Sequence, residues 1–167
     1  HLVSPIDHCK EVLGKNLPDD TLFVNRFKES DLYQDKENQI LKYALIKIEE
    51  FLSKSTNFLN YNKLTIEHIL PQNPSKLWKD EVNSKNFDAC HQKWYQTIGN
   101  LTLVPINSEL GNLPFISKKG IYFNDSTLTI HKIISKSSKW WIDEIKENSD
   151  YISAFITDIW CYFGGPN

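Results

Sequence analysis

The chain has 167 residues, 40% hydrophobic and 13% aromatic, which suits a folded domain with its own core and excludes a disordered polar chain. A net charge of −2 and a pI near 6.2 exclude a uniformly basic nucleic-acid binder, so any phosphate contact has to come from local lysine clusters. No apolar run is long enough to span a membrane, and Cys9, Cys90 and Cys161 are too far apart for a C-x-x-C pair; they read as thiols of a reducing, cytoplasmic compartment.

The start, His1 to Asp7, lacks the basic end and apolar stretch of a signal peptide, and the absence of Met reads as a fragment of a longer protein or a processed form. Pro5, Gly14 and Pro18 break residues 1–30 into pieces without a clean period. From Lys36 to Lys54 the apolar residues Ile40, Leu41, Ala44, Leu45, Ile48, Phe51 and Leu52 recur at spacings of three and four, which predicts a scaffold helix. Ser53 to Asn62 is polar and reads as a loop. KLTIEHIL, Lys63 to Leu70, predicts a strand ended by Pro71, with a turn to Pro74.

Trp78 to Thr97 reads as helical in part, and Gly99 to Val104 as a second short strand broken by Pro105. Asn107 or Ser108 is placed to cap a helix carrying Leu110, Leu113, Phe115 and Ile116, with a kink or restart at Gly111 and Pro114. Asn124-Asp125 marks a turn. A last helix is predicted from Lys139 to Tyr162, where Trp141, Ile145, Ile152, Phe155, Ile156 and Ile159 share a face and Ser149-Asp150 is an interruption. Together these elements predict an α+β fold, mostly helical. Trp78, Trp94, Trp140, Trp141 and Trp160 read as core rather than as base-stacking platforms, and His131, in an apolar stretch, reads as structural. His91 beside Cys90 has no partner pair spaced for zinc and reads as a helix-surface residue.

The residues suited to chemistry lie mid-chain. Glu67 and His68 share the first strand, Asn100 opens the second, and Asn107 starts the next helix. A phosphodiesterase must deprotonate a water, and a neutral imidazole does so near pH 7. That ring must be aimed by its neighbours. A divalent metal stabilises the leaving oxygen, and one that keeps most of its water needs little more than a carboxylate and an amide carbonyl. Without a motif, Glu67 is equally a surface residue, and Asn100 and Asn107 are turn and cap residues. Glu67 and His68 point to opposite faces of a regular strand, so both serve one site only where the strand ends or distorts. Downstream, Lys118, Lys119, Lys132, Lys136 and Lys139 stand against the single acid Asp125, as a phosphate-binding segment or a solvated lysine face.

Three motifs in order carry a resemblance: IEHILPQ (Ile66 to Gln72), IGNLTL (Ile98 to Leu103) and NSELGNLPFxxK (Asn107 to Lys118). They resemble the HNH, or His-Me finger, nuclease domain at the C-terminus of GmrSD-type modification-dependent (type IV) restriction enzymes. The helical lead-in and the Trp-rich end are similar too, so the resemblance covers nearly the whole chain. It implies one nuclease domain built on a ββα-metal finger, with residues 1–62 as lead-in, 63–123 as the finger with an inserted helix, and 124–167 as a helical end. It implies His68 as general base, Asn100 as the residue that positions the finger and its histidine, and Glu67 and Asn107 as ligands of one Mg2+ or Mn2+. Asn112 would be a supporting residue, and Lys118 would hold a substrate phosphate. The implied activity is metal-dependent DNA cleavage in a modification-dependent or anti-phage restriction system. The implied partners are DNA and an N-terminal sensor or NTPase-like region outside this chain. Two rivals stand beside it: a catalytically silent DNA- or protein-binding module, which would bind DNA without cleaving it, and a zinc-stabilised interaction domain, which would carry stoichiometric zinc.

Overall fold

Four residues of KLTIEHIL pair as a strand. β1 (Thr65–His68) runs antiparallel to β2 (Leu101–Val104), with Thr65 opposite Val104 and His68 opposite Leu101. These belong to a computed structural model that describes residues 4, 8, 11, 12, 14, 17–33, 38–54, 61–105 and 110–160. Every β2 residue is buried, so this small sheet sits inside a helical shell and the fold is α+β, mostly helical.

Several elements differ from the sequence expectation. Residues 1–30 show little period, yet α1 (Asp20–Glu29) forms there, started by Asp19, whose carboxylate accepts from the Leu22 N–H at 2.7 Å. It buries no residue, which is why no apolar stripe announces it. α2 (Gln39–Ser53) lies within the predicted span and buries Leu41, Leu45 and Ile48, but Ile40 is 87% exposed rather than part of the stripe. The same helix buries Glu49, whose carboxylate accepts from the N–H groups of Thr129 and Ile130 at 3.0 and 2.8 Å. Burial pushes that carboxyl's pKa up and the two donors pull it back.

The Trp78–Thr97 stretch divides into α3 (Lys76–Val82) and α4 (Phe87–Trp94), because Asn83 turns into the left-handed region at φ 46°. Of the kink or restart expected at Gly111 and Pro114, the restart is found: Pro114 precedes α5 (Phe115–Lys118), which widens into a π turn over Lys119–Phe123. After the turn at Asn124-Asp125 come a 3-10 turn (Thr129–His131) and α6 (Lys132–Lys136), neither of which the sequence pattern marked. The last helix is shorter than predicted. α7 (Ile142–Ser153) runs straight through Ser149-Asp150, and the break falls at Ala154-Phe155 before α8 (Ile156–Ile159). Ser149 and Ser153 are tolerated there because the Ser153 hydroxyl donates back to the Ser149 carbonyl at 2.7 Å.

Two apolar clusters flank the sheet. One gathers Ile69, Leu70, Trp78, Phe115, Phe123 and Trp140; the other gathers Leu45, Ile48, Ile98, Leu101, Leu103 and Ile152. Trp78 and Trp140 are fully buried, and Trp94, Trp141 and Trp160 pack on the margins of these clusters, in keeping with their expected core role. Gly99 lies against α7 so closely that a Cβ would stand 2.0 Å from the Ile145 carbonyl oxygen, so only glycine allows this approach. Among the described residues no helix is long and apolar enough to cross a membrane.

Candidate active site

The site is built where β1 stops. Asn100 is the last residue of a 3-10 turn (Ile98–Asn100) rather than the first residue of β2, and it is wholly buried. Its backbone carbonyl accepts from the Ile69 N–H at 3.0 Å. Its side-chain oxygen accepts from the Leu70 N–H at 2.8 Å and the Trp140 Nε1–H at 3.0 Å, and its amide donates to the carbonyls of Leu70 and Tyr95, both at 2.8 Å. One side chain therefore satisfies four polar groups, two of them on Leu70, two residues beyond His68. The strand ends here because the Asn100 side chain, not a strand neighbour, takes the Leu70 backbone groups.

A second clamp comes from Lys118. Expected at a substrate phosphate, it is instead fully buried, with Nζ donating to Glu67 Oε1 at 2.5 Å and to the backbone carbonyls of His68 and Ile69 at 2.9 and 3.1 Å. Its three donors have three acceptors, which is how a lysine can sit in a core. Burial lowers the Lys118 pKa and raises that of Glu67, and each charge offsets the other's shift in part. An enclosed ammonium cannot reach a DNA backbone, so Lys118 holds the histidine's own peptide instead.

His68 is held between rings and is 9% exposed. Tyr33 meets it edge-on at 4.5 Å, and Tyr95 lies 6.3 Å away at 30°. Burial, reinforced by the Lys118 ammonium and by His91, lowers its pKa from 6.5 to about 4. The ring is therefore neutral at pH 7, the state in which imidazole accepts a proton. His68 and Glu67 border one open cleft of about 270 Å³, together with Tyr33, Gln72, Asn73 and Asn112. The strand end at His68 lets two sequence neighbours meet one cleft, as a regular strand would not.

Asn112 braces the turn after the strand: its oxygen accepts from the Ser75 N–H at 2.9 Å and its amide donates to the Asn73 carbonyl at 2.5 Å. His91, expected on a helix surface, is buried instead. Its Nε2 bonds the Pro71 carbonyl at 2.8 Å, and its ring stacks on Tyr95 at 4.7 Å. No sequence signal marked His91, Tyr33 or Tyr95 as site neighbours. Gln72 was visible within its motif, without a role. His131, read as structural, is indeed buried, with Nδ1 2.6 Å from the Ser126 hydroxyl.

The remaining expected residues lie apart or beyond view. Asn107 lies outside the described residues, as do Ser108, Cys9 and Cys161. Lys119 donates to the Ser137 carbonyl at 2.8 Å, at the end of α6. Lys132 and Lys136 are exposed, Lys132 over the Tyr151 ring at 5.5 Å, and Lys139 stands 3.7 Å from Glu144. Among the described residues no group of three or more His, Cys, Asp or Glu side chains is placed to hold a metal. A structural zinc centre takes four such ligands, so those residues do not form one. Lys118 engages only Oε1 of Glu67, which lines the cleft.

Compared with known proteins, residues 17–155 match a family described as GmrSD restriction endonucleases, C-terminal domain. No curated protein matches the chain.

Proposed function

The chain belongs to the GmrSD restriction endonuclease C-terminal domain family, and on that premise we propose that it is a metal-dependent, HNH-type DNA endonuclease with His68 as the general base. One observation carries the reading: a neutral imidazole, held by rings at the border of a cleft, on a peptide fastened by Asn100 and Lys118. His68 takes the proton of the attacking water. Asn100 and Lys118 touch neither water nor substrate; they hold the chain on either side of the ring, so that the base does not have to reorganise during attack. Glu67 and Asn107 would hold one Mg2+ or Mn2+. When bound, such an ion would supply positive charge to offset the negative charge developing on the leaving oxygen. Lys132, Lys136 and Lys139 would meet flanking phosphates, and an N-terminal region would recognise the modified DNA.

The test is a plasmid-nicking assay with Mg2+, Mn2+ or EDTA. Cleavage should need the metal, and His68→Ala should lower it on the order of a hundred-fold while the protein stays folded. Cleavage that survives EDTA, or a folded His68→Ala protein of unchanged rate, would overturn the mechanism. Binding of duplex DNA without cleavage would identify a silent module on the same scaffold.

A further inference from the structure

We propose that the Tyr33 hydroxyl donates a hydrogen bond to a non-bridging oxygen of the scissile phosphate, which makes Tyr33 a catalytic residue supplied from outside the finger. This rests on the reading of the cleft as a nuclease site. A phosphodiester is already an anion, and its oxygens gain more negative charge as water attacks. A donor aimed at those oxygens therefore strengthens in the transition state. Lys118 does not serve there, because its ammonium is enclosed on Glu67, and among the described residues no lysine or arginine lines the cleft. The side-chain donors that border it beside His68 are neutral: Tyr33, Gln72, Asn73 and Asn112. Asn112 already donates its amide to the Asn73 carbonyl. Gln72 lies against the imidazole, its amide nitrogen 3.3 Å from His68 Nε2, and Asn73 is exposed on the turn.

Two tyrosines flank His68, and their hydroxyls differ. The Tyr95 hydroxyl accepts from the Gln96 side-chain amide at 2.6 Å, and its ring stacks on His91. The Tyr33 hydroxyl bonds no described residue, and Tyr33 lines the cleft. Its ring is nonetheless fixed. Tyr33 is half-buried, packs at the margin of the apolar cluster that holds Leu45 and Leu101, and meets the imidazole edge-on at 4.5 Å. The Leu32 N–H donates to the Gln96 carbonyl at 3.1 Å, which ties the backbone leading into Tyr33 to the segment that carries Tyr95. A hydroxyl carried on a packed ring is already in place when charge develops on the phosphate, whereas an exposed amide has to be ordered first.

The experiment compares the wild type with Tyr33→Phe, which keeps the ring against His68 and removes only the hydroxyl. In Mn2+, kcat for nicking a duplex at a site mapped with the wild type should fall about ten- to a hundred-fold, as for one hydrogen bond to a charged oxygen. KM should change less than about two-fold, because the bond strengthens only as the reaction proceeds, and the urea midpoint should not move. Sulfur accepts a hydrogen bond more weakly than oxygen. A phosphorothioate of one hand at the nicked position should therefore slow the wild type and cost Tyr33→Phe little more, an effect that a merely structural tyrosine would not produce. Tyr33→Phe at the wild-type rate, or equal sulfur effects in the two proteins for both hands, overturns the proposal. If the wild-type protein nicks no DNA, the nuclease reading falls on its own. Carbon NMR of labelled tyrosine, titrated with the duplex without metal, then still decides the contact: the Tyr33 Cζ signal, identified by its loss in Tyr33→Phe, shifts if the hydroxyl meets a phosphate, and an unmoved signal refutes it.

Discussion

Lys118→Met removes one ammonium and leaves three acceptors without a donor: Glu67 Oε1 and the carbonyl oxygens of His68 and Ile69. Both partners of the ion pair are buried, Lys118 at 0% exposure and Glu67 at 3%, so the lost bonds are not readily replaced by water. Removing one member of a buried pair costs about 3–5 kcal/mol, because the other charge stays enclosed and uncompensated. A domain has only about 5–15 kcal/mol of stability in total, so the loss is a large share of it. Urea unfolding followed by tryptophan fluorescence measures the loss as a lower midpoint at constant slope. The double variant Glu67→Leu with Lys118→Met takes out both charges and should recover much of it, giving a coupling energy well above additivity. A loss below about 1 kcal/mol for Lys118→Met alone, or strict additivity in the double variant, would refute the buried, fully bonded pair.

Asn100→Ala should cost about 3–5 kcal/mol in thermal unfolding, because it strands both Leu70 backbone groups, the Tyr95 carbonyl and the Trp140 indole N–H. His131, buried and held neutral with its pKa lowered from 6.5 to about 3, makes stability depend on acid. The unfolded chain takes up this proton as pH falls through about 6.5 and the folded chain does not until about 3, so the contribution is full above that window and is lost downward through it. His131→Phe should flatten the acid slope of stability by about one proton, read from urea midpoints across the window; an unchanged slope would remove His131 as its source. Replacing Lys132, Lys136 and Lys139 together with Gln should flatten the salt dependence of duplex binding, each lost phosphate contact changing the log-log slope by about 0.9, with the metal requirement unchanged. The same slope in the triple variant would mark them as a solvated face. Asn107→Ala should raise the Mn2+ concentration needed for half-maximal cleavage, and an unmoved value would remove Asn107 as a metal ligand.

Local pattern was enough for some elements. α2 follows from apolar spacing, and the strands at Ile66 and Leu103 follow from β-forming residues bounded by Pro71 and Pro105. The order of Glu67, His68 and Asn100 along the chain was enough to single those residues out, because a motif is written in residue type and spacing. Partners far apart in sequence were not legible. Lys118 looked like one of a run of solvated lysines, but the fold brings its Nζ to Glu67 across 51 residues and encloses both. His91 looked like a surface residue, yet α4 turns it inward against Tyr95 and the Pro71 carbonyl. α1 was missed because none of its residues is fully buried: Phe27 only packs at the margin of one cluster, too little for a period to read. The sequence by itself determined which side chains could do acid–base chemistry and in what order they come. The tertiary structure decided which of them stay neutral, which are enclosed and which nitrogen of His68 meets Gln72, because burial and hydrogen bonding depend on groups that only folding brings within reach.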